Sequence, residues 1–422
     1  MLKTYLVATV LAGVCAGLSL TACTSKKSGD ATGSGGSGGA SGSGGSPGTS
    51  PGTGGGSGGS GSGSGGKISE GSDAATGSGG SGTASTDGAS IDVSGQEGGA
   101  DTGTPDPGSD GDGMRTVPQP FKVAPETKSQ SGVPHGSKIK FTMAHGTSQR
   151  YPGAVDREIN VYVPSQYVKG MPAPVIVVQD GNNFYGFVDL LSNTLDNLIG
   201  ANKLPPIVAV YANNGGGDAQ GSERGKEYDT LSGVYAEWVD QELLPQVEQE
   251  TLKQLPAKAV TFTKDPEGRG SLGGSSGGVA SFIMAWYHPD LFRRVIGYSP
   301  SLVAQEFPIN PDHPLGGWNF HEDDNMDDGG IIAKTSPNLP VRAWLECGTN
   351  DDGAGTALVP NTKYPHYDFY YAGTRTGGKL AAKGYHYHLD VGQGAGHVDG
   401  GMVQATLPEA VLWAWRGYQS AQ

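Results

Sequence analysis

The feature that most constrains this chain is a run of six small residues at 273–278, followed directly by an apolar segment at 279–286. The run reads Gly-Gly-Ser-Ser-Gly-Gly and contains the pattern G-x-S-x-G. Glycines on both sides of a serine let a strand turn sharply into a helix without Cβ clashes, and a stretch that is apolar nearly all round is typical of a helix packed against a sheet. The pattern therefore predicts a strand, a tight turn and a helix that expose one strained serine as a nucleophile.

Two serines fit this pattern, and a flexible Gly/Ser loop is the alternative to the turn. The apolar helix that follows at once favours the turn, because a linker would lack it. We favour Ser275 as the nucleophile because Gly278 follows it at the third position, where Ser276 would instead meet the β-branched Val279. Ser276 is then expected to donate its backbone N–H to the oxyanion.

The N-terminus has the pattern of an export signal. A short basic start at residues 1–4 precedes an apolar run at 5–18, which reads as a secretory signal and not as a spanning helix. The Leu-Thr-Ala-Cys at 20–23 resembles a bacterial lipobox, and this resemblance implies removal of residues 1–22 and lipidation of Cys23. The expected product is an exported lipoprotein anchored to a membrane of the cell envelope. An ordinary cleaved signal with an incidental cysteine is the alternative.

Composition divides the rest of the chain into two parts. Residues 23–114 are rich in Gly, Ser and Thr, and 24–114 hold 33 of the 73 glycines, so this part cannot bury a core and is predicted to be a disordered tether. Residues 115–422 are long enough for one α/β domain. The formal net charge of −14 and the lack of basic clusters argue against nucleic acid as a partner, so membrane contact is expected through the lipid anchor only.

Segments with strand and helix patterns alternate along this domain. Two stretches with alternating polar and apolar residues, 138–143 and 157–164, read as antiparallel strands at a sheet edge. Runs rich in β-branched residues at 173–179 and 207–211 are typical of parallel strands buried on both faces. Further strands are predicted at 294–298, 341–347 and 385–391, and helices at 187–199, 233–250 and 407–415. We therefore predict an α/β fold with a mostly parallel central sheet flanked by helices.

Polar residues follow several of these strands, at the edge of the sheet where catalytic groups of such a fold gather. Asn182 follows the strand at 173–179, and its backbone N–H is expected to hold the oxyanion together with that of Ser276. The alternative is that residues 180–182 form only a turn that ends the strand.

A candidate acid and base come later in the chain. Asp351 follows a predicted strand after the nucleophile in sequence, where a carboxylate that orients a histidine belongs, and Asp352 is the fallback. The alternative is that residues 350–353 form only a turn. His397 has small neighbours that leave its imidazole free to reach the serine. Ser275, Asp351 and His397 therefore form a candidate triad in the chain order Ser, Asp, His, which needs no cofactor.

Two other groups of residues raise the question of a metal. His386 and His388 share one face of a predicted strand, so they are either a metal pair or solvent-facing residues, and without a nearby Cys or third ligand we expect no metal. The acidic run at 322–328 is either a solvated surface loop with an acidic patch or a site for calcium. It belongs to a long insertion at 301–339, whose aromatic residues at 318–321 are expected to lie over the site as part of a lid and to suit a sugar or phenolic ring.

Six short motifs together resemble the esterase D and enterochelin-esterase-like α/β-hydrolases. They are VYVP at 161–164, VQDG at 178–181, DPEGR at 265–269, GGSSGG at 273–278, GTND at 348–351 and AGH at 395–397. The resemblance implies an α/β-hydrolase fold and a carboxylic ester hydrolase, and it assigns nucleophile, acid and base to Ser275, Asp351 and His397. Enterochelin esterases usually carry an N-terminal sandwich domain, which the Gly/Ser tether replaces here, and this difference argues against siderophore hydrolysis.

Arg224 and the pair Glu227-Tyr228 also resemble a recurring element of this family. We expect it to be structural, because an Arg–Glu pair more often braces a loop than contacts substrate.

The sequence thus predicts a serine ester hydrolase that acts outside the cytoplasm on small-molecule or carbohydrate-linked esters, such as acyl or feruloyl esters. A surface binding module that keeps the fold without turnover is the alternative from another class, and the presence of all three triad residue types argues against it. Acyl transfer to an alcohol by the same triad stays open, because a fold does not determine the substrate.

Overall fold

The computed structural model describes residues 109–218, 220–323, 329–357 and 366–419. The predicted signal peptide, the lipidation site Cys23 and the tether up to residue 108 lie outside the described residues. None of the helices within the described ranges combines the length and the apolar character needed to cross a bilayer.

The described residues form eleven strands and eight α-helices. The strands are β1 Gly113–Val117, β2 Ser137–Met143, β3 Arg157–Val163, β4 Pro172–Ala173, β5 Val175–Gln179, β6 Val208–Ala212, β7 Thr261–Phe262, β8 Arg269–Gly274, β9 Arg294–Tyr298, β10 Arg342–Gly348 and β11 His386–Gly392. The helices are α1 Phe187–Gly200, α2 Glu223–Tyr228, α3 Val234–Trp238, α4 Leu244–Gln254, α5 Ser276–Tyr287, α6 Ile331–Lys334, α7 Phe369–Lys383 and α8 Gly400–Ala414.

Nine of these strands form one sheet in the order β1-β11-β10-β9-β8-β5-β6-β3-β2. The pairs β2–β3 and β3–β6 are antiparallel, and all other neighbours in the sheet are parallel. The predicted α/β fold with a mostly parallel sheet is confirmed, as is the antiparallel pair. β3 is not an edge strand, however, because β6 pairs with its other side.

Strand β1 at the far edge of the sheet was not predicted. It begins at Gly113, two residues before the position at which the sequence indicated the start of the domain, and it pairs with β11. Arg115 of β1 lies opposite Asp390 of β11, and its Nε donates to the Asp390 carboxylate at 2.5 Å. Its guanidinium also pairs with Glu409 at 2.7 Å. The strand is short, so this pairing with distant residues, and not its own pattern, determines that it forms.

Helices cover both faces of the sheet, which explains why the central strands are continuously apolar. Every residue of β5 and β6 is buried. Val175 and Val177 of β5 face a core with α3 and α4, whereas Ile176 and Val178 face the other core, with α1 and α8. Since successive strand residues point to opposite faces, both sets must be apolar.

Two helices differ from their predicted limits. The helix predicted at 233–250 is interrupted by a π-helical turn at Val239–Leu243 between α3 and α4. The last helix begins at Gly400, seven residues earlier than predicted, because the Asp399 side chain caps it by accepting from the backbone N–H groups of Gly401 and Met402.

Candidate active site

The turn between β8 and α5 has the strained geometry that its sequence predicts. Ser275 lies between the two elements with φ 57° and ψ −128°, a conformation that L-residues rarely adopt. A methyl group on Gly273 would lie 2.3 Å from the backbone of Gly277, and one on Gly277 would lie 2.8 Å from Cβ of Gln179. Strand and helix therefore approach too closely for any side chain at these two positions.

The two serines of the turn have different surroundings. The side chain of Ser276 is buried, where its Oγ donates to Asp229 at 3.1 Å and accepts from Gln305 at 2.9 Å. Burial raises the pKa of Asp229 to about 7, although hydrogen bonds from Gln305 and Ser276 oppose the shift. Ser275 is only partly buried. The hydroxyl of Ser276 is thus committed to the protein, and this difference favours Ser275 as the reactive serine.

The predicted acid and base are in contact. His397 Nδ1 lies 2.7 Å from Asp351 Oδ1, and the other carboxylate oxygen accepts from the Ser299 hydroxyl at 2.7 Å. Burial alone would raise the pKa of Asp351, but the hydrogen bonds with His397 and Ser299 and the His397 charge outweigh it and hold the pKa below its ordinary value. Asp352 is exposed and contributes only its backbone N–H to Asp351, at 2.8 Å.

The loop that carries the base reaches the turn between β8 and α5. A methyl group on Gly274 would lie 2.9 Å from the side chain of Val398, the residue after His397. The imidazole of His397 packs edge to face on Phe369, with ring centroids 4.7 Å apart. The structure therefore brings the loops of Ser275, Asp351 and His397 together at the carboxyl edge of the sheet.

Sequence reasoning missed Ser299, which joins the acid loop to the base loop. This buried serine donates to Asp351, and its Oγ accepts the backbone N–H of Val398 at 2.9 Å. Its φ of 42° turns the chain directly after β9. The available signal was its position, because it is a polar residue at the carboxyl end of a predicted strand.

The two N–H groups predicted to hold an oxyanion belong to Ser276, the first residue of α5, and to Asn182, on the loop between β5 and α1. Asp180 directly follows β5 and has a φ of 53°. The N–H of Gly181 donates to the carbonyl of Ala212 at 2.9 Å. In the described part of the chain, the N–H groups of Asn182 and Ser276 donate to no protein acceptor. Their role in holding an oxyanion stays a prediction.

Arg224 supports the loop that carries Asn182. Its guanidinium donates twice to the Asp180 carboxylate, at 2.9 and 2.8 Å, and both side chains are buried. The expected Arg–Glu brace within the 224–228 element is wrong in its partner, since Glu227 pairs instead with the buried Arg157. The tertiary structure brings Asp180 and Arg157 next to α2. No local sequence pattern indicates that Arg224 pairs with Asp180 or that Glu227 pairs with Arg157.

A cavity of about 300 Å³ opens beside the site. Its lining comprises Asp180, Asn182, Phe184, Tyr185, Asn214, Gly217, Asp218 and Arg224. A larger cavity of about 1000 Å³ is lined in part by Trp415, which contacts Gly270 near the amino end of β8. The larger cavity therefore lies at the edge of the sheet opposite the turn, and the smaller one is the candidate substrate site.

The aromatic residues of the insertion do not line this site, which corrects the expectation that they would contact a ring of the substrate. Trp318 and Phe320 are fully buried, and Trp318 stacks on Tyr371 with centroids 5.5 Å apart. Glu322 is also buried and accepts from Tyr371 at 2.8 Å and Arg375 at 2.7 Å. The rest of the acidic run, at 324–328, lies outside the described residues.

The two histidines of β11 have protein partners. His386 Nδ1 lies 2.7 Å from an Asp112 carboxylate oxygen, and His388 Nε2 lies 3.0 Å from Asp390. His388 is buried and stacks on Trp344 with centroids 3.7 Å apart, so it is not the solvent-facing residue that the sequence indicated. Among the described residues, no three His, Cys, Asp or Glu side chains are arranged to hold a metal.

A mostly parallel sheet, covered by helices and with a serine at a strained strand-to-helix turn, defines an α/β-hydrolase. Residues 154–413 match the model of the Esterase family, described as "Putative esterase", and the chain belongs to this family. It is accordingly a hydrolase that acts on carboxylic ester bonds, as the resemblance of its motifs implied.

Solved structures of other esterases resemble this chain. A ferulic acid esterase from the anaerobic fungus Anaeromyces mucronatus has 15% sequence identity and a TM-score of 0.48, over 70% of this chain and 97% of its own. The enterobactin esterase of Shigella flexneri has 18% identity and a TM-score of 0.42, over 68% of this chain and 60% of its own. No curated protein matches the sequence. These likenesses say nothing about the substrate of this chain.

Proposed function

We propose that this protein is a serine esterase in which Ser275 is the nucleophile, His397 the general base and acid, and Asp351 the residue that orients the histidine. The contact of 2.7 Å between His397 Nδ1 and Asp351 Oδ1 carries the proposal. Because Asp351 occupies Nδ1, the free nitrogen of the imidazole is Nε2, the one that a serine hydroxyl needs.

The reaction follows from these roles. Ser275 Oγ attacks the ester carbonyl carbon while His397 takes the hydroxyl proton and then passes it to the leaving alcohol. The lowered pKa of Asp351 keeps it ionised at neutral pH, so it stabilises the imidazolium throughout. The N–H groups of Asn182 and Ser276 hold the oxyanion, each worth about 3 kcal/mol in the transition state. Water then attacks the acyl enzyme by the same route, and no cofactor takes part.

The substrate is proposed to be a small-molecule or carbohydrate-linked ester, such as an acyl or feruloyl ester, whose acyl group is compact. The cavity of about 300 Å³ has room for such a group, and Phe184 at its rim is 74% exposed and presents an aromatic surface.

We further propose that the protein acts outside the cytoplasm on a lipid anchor at Cys23. The lipobox-like sequence and the Gly/Ser-rich residues after it support this proposal.

Labelling with a fluorophosphonate tests the mechanism. The full-length chain and its Ser275→Ala and Ser276→Ala variants are treated with the probe, and the labelled peptide is mapped. We expect the label on Ser275 only, its loss in Ser275→Ala, and its retention in Ser276→Ala, which serves as the matched control. A panel of acetyl and feruloyl esters then defines the acyl preference, and product analysis with added alcohols separates hydrolysis from acyl transfer.

Two results would contradict the proposal. A folded protein that takes no label would indicate a binding module without turnover. Label on Ser276 would mean that the hydroxyl now bonded to Asp229 is the reactive one. For the anchor, metabolic labelling with a fatty acid in the producing cell should mark the wild-type chain and not Cys23→Ser, and a wild-type chain without label would refute lipidation.

A further inference from the structure

Tyr185 covers the turn that holds the proposed nucleophile. It lies on the loop between β5 and α1, three residues after Asn182. A methyl group on Gly274 would lie 3.1 Å from Cδ2 of the Tyr185 ring. The ring is flanked by Phe184, edge to face at 4.7 Å between centroids, and by Phe187 at 6.0 Å. These contacts hold the ring against the turn, and Tyr185 also lines the cavity of about 300 Å³.

The Tyr185 ring packs on Gly274, the residue before Ser275, so its hydroxyl lies in the neighbourhood of the proposed nucleophile. Burial raises the pKa of Tyr185 above its ordinary value, although the Arg224 guanidinium and the Ser275 hydroxyl act in the opposite direction. The phenol therefore keeps its proton at neutral pH and can donate a hydrogen bond. It is a neutral O–H donor on a ring that packs next to the residue before the proposed nucleophile.

Two other polar side chains of the cavity, those of Arg224 and Asn214, donate to protein acceptors. Arg224 donates from Nε and one terminal nitrogen to Asp180, and from the other terminal nitrogen to the carbonyl of Asp218 at 2.6 Å. The amide nitrogen of Asn214 donates to Asp180 at 2.8 Å. Redirecting either group to a substrate would leave a buried carboxylate with fewer partners, which is costly. The Tyr185 hydroxyl needs no such exchange.

We propose that the Tyr185 hydroxyl is a third donor to the oxyanion, in addition to the N–H groups of Asn182 and Ser276. The inference rests on the proposed function. When Ser275 Oγ bonds the carbonyl carbon, the negative charge develops on the neighbouring oxygen, which is a much stronger acceptor than the new ester oxygen. The O–H of Tyr185 then donates to the oxyanion. The proton stays on Tyr185 throughout, so the step transfers no charge and requires no other reactant.

The variant Tyr185→Phe removes this oxygen and keeps the ring that packs on Phe184 and Phe187. With two donors still in place, we expect kcat toward a p-nitrophenyl ester to fall about 10- to 100-fold, with KM changed less than about twofold. Affinity for a boronic acid, which forms a tetrahedral adduct with an active serine, should fall by the same factor as kcat/KM. A role in packing alone would leave both quantities unchanged.

Tyr385→Phe is the matched control. Its hydroxyl also has a protein partner, since it accepts the N–H of Leu339 at 3.2 Å, but it precedes β11 at the amino edge of the sheet. This variant should keep wild-type kcat and boronate affinity. Thermal unfolding of both variants shows whether they are folded at the assay temperature.

The outcomes separate the two proposals. If the wild-type chain is labelled at Ser275 and hydrolyses esters while Tyr185→Phe matches it in kcat and boronate affinity, the third donor is refuted and the triad stands. If Tyr185→Phe raises KM and leaves kcat intact, the hydroxyl binds the substrate in its ground state, which also refutes the inference. If the wild-type chain is neither labelled nor active, the proposed function fails, and this inference fails with it.

Discussion

Ser299 offers a quantitative test of how the proposed acid and base are held. The change Ser299→Ala deletes one hydroxyl with two hydrogen bonds, one donated to the Asp351 carboxylate at 2.7 Å and one accepted from the Val398 N–H at 2.9 Å. A hydrogen bond to a charged group contributes about 1.5–3 kcal/mol, and an unpaired buried N–H costs about 1–3 kcal/mol. The free energy of unfolding should therefore fall by about 2.5–6 kcal/mol at neutral pH.

The pH dependence of this loss follows from the charge of Asp351. Its pKa in the folded protein is lowered, so the stability that it contributes is present above the ordinary carboxyl pKa and disappears as the pH falls through the lowered value. The Ser299 hydroxyl donates to the ionised form. The difference in unfolding free energy between wild type and Ser299→Ala should thus be largest near neutral pH and should shrink below about pH 4.

Catalysis should suffer without a change in substrate binding. Ser299 is fully buried, so it cannot contact substrate, but it fixes both Asp351 and the residue after His397. A displacement of catalytic groups by about 1 Å can lower the reaction rate about 100-fold. We therefore expect kcat to fall about 10- to 100-fold, with KM nearly constant. Urea unfolding from pH 3.5 to 8 and steady-state kinetics with a p-nitrophenyl ester measure the two effects.

Ser192→Ala is the control for a general loss of stability. Ser192 is also a buried serine with two hydrogen bonds, to the carbonyl of Val188 at 2.6 Å and to the hydroxyl of Tyr211 at 2.9 Å, but it lies within α1. It should lose stability and keep kcat. The reasoning is refuted if Ser299→Ala keeps wild-type kcat, or if both variants lose the same fraction of activity.

Three further predictions concern the surroundings of the turn. Gly273→Ala would place a methyl group 2.3 Å from the backbone of Gly277, so it should destabilise the protein by about 3 kcal/mol in urea unfolding, the upper end of the usual cost of overpacking, and abolish fluorophosphonate labelling. Burial raises the pKa of Asp229 to about 7, so wild-type unfolding free energy should decline by about 1.4 kcal/mol per pH unit from this group between pH 4 and 7, and Asp229→Asn should lack that slope. Arg224→Lys cannot form the double hydrogen bond to Asp180, and kcat should drop about 10-fold in the same ester assay.

The parts of this protein that the sequence predicted well are those with local causes. The turn around Ser275 follows from its glycines. Strand and helix approach so closely there that no other residue fits at these positions. The parallel strands follow from β-branched runs, and their carboxyl ends indicate where Asn182, Asp351 and His397 lie in the fold. Asp351 and His397, which were predicted as acid and base, are in contact, and their catalytic roles stay a prediction.

The parts that the sequence did not reveal depend on neighbours from distant segments. The residues at 318–321 were expected to form part of a lid because their segment follows the strand after the helix that begins at Ser276, but Trp318 stacks on Tyr371 and is buried. Likewise, His388 alternates with its neighbours as a surface residue would, yet the edge strand β1 pairs beside it and Trp344 stacks on it. Burial is a property of the assembled layers, which a local pattern does not contain.

By itself, then, the sequence determined the class of fold, the sharp turn at Ser275 and the residue types that end the central strands, because backbone sterics and periodicity act over a few residues. Only the tertiary structure decided which polar groups meet. Ser299 joins the loops of Asp351 and His397, and Arg224 holds Asp180, across separations that no motif spans. Hydrogen-bond partners are selected by direction and distance in space, and these exist only once the strands are aligned in the sheet.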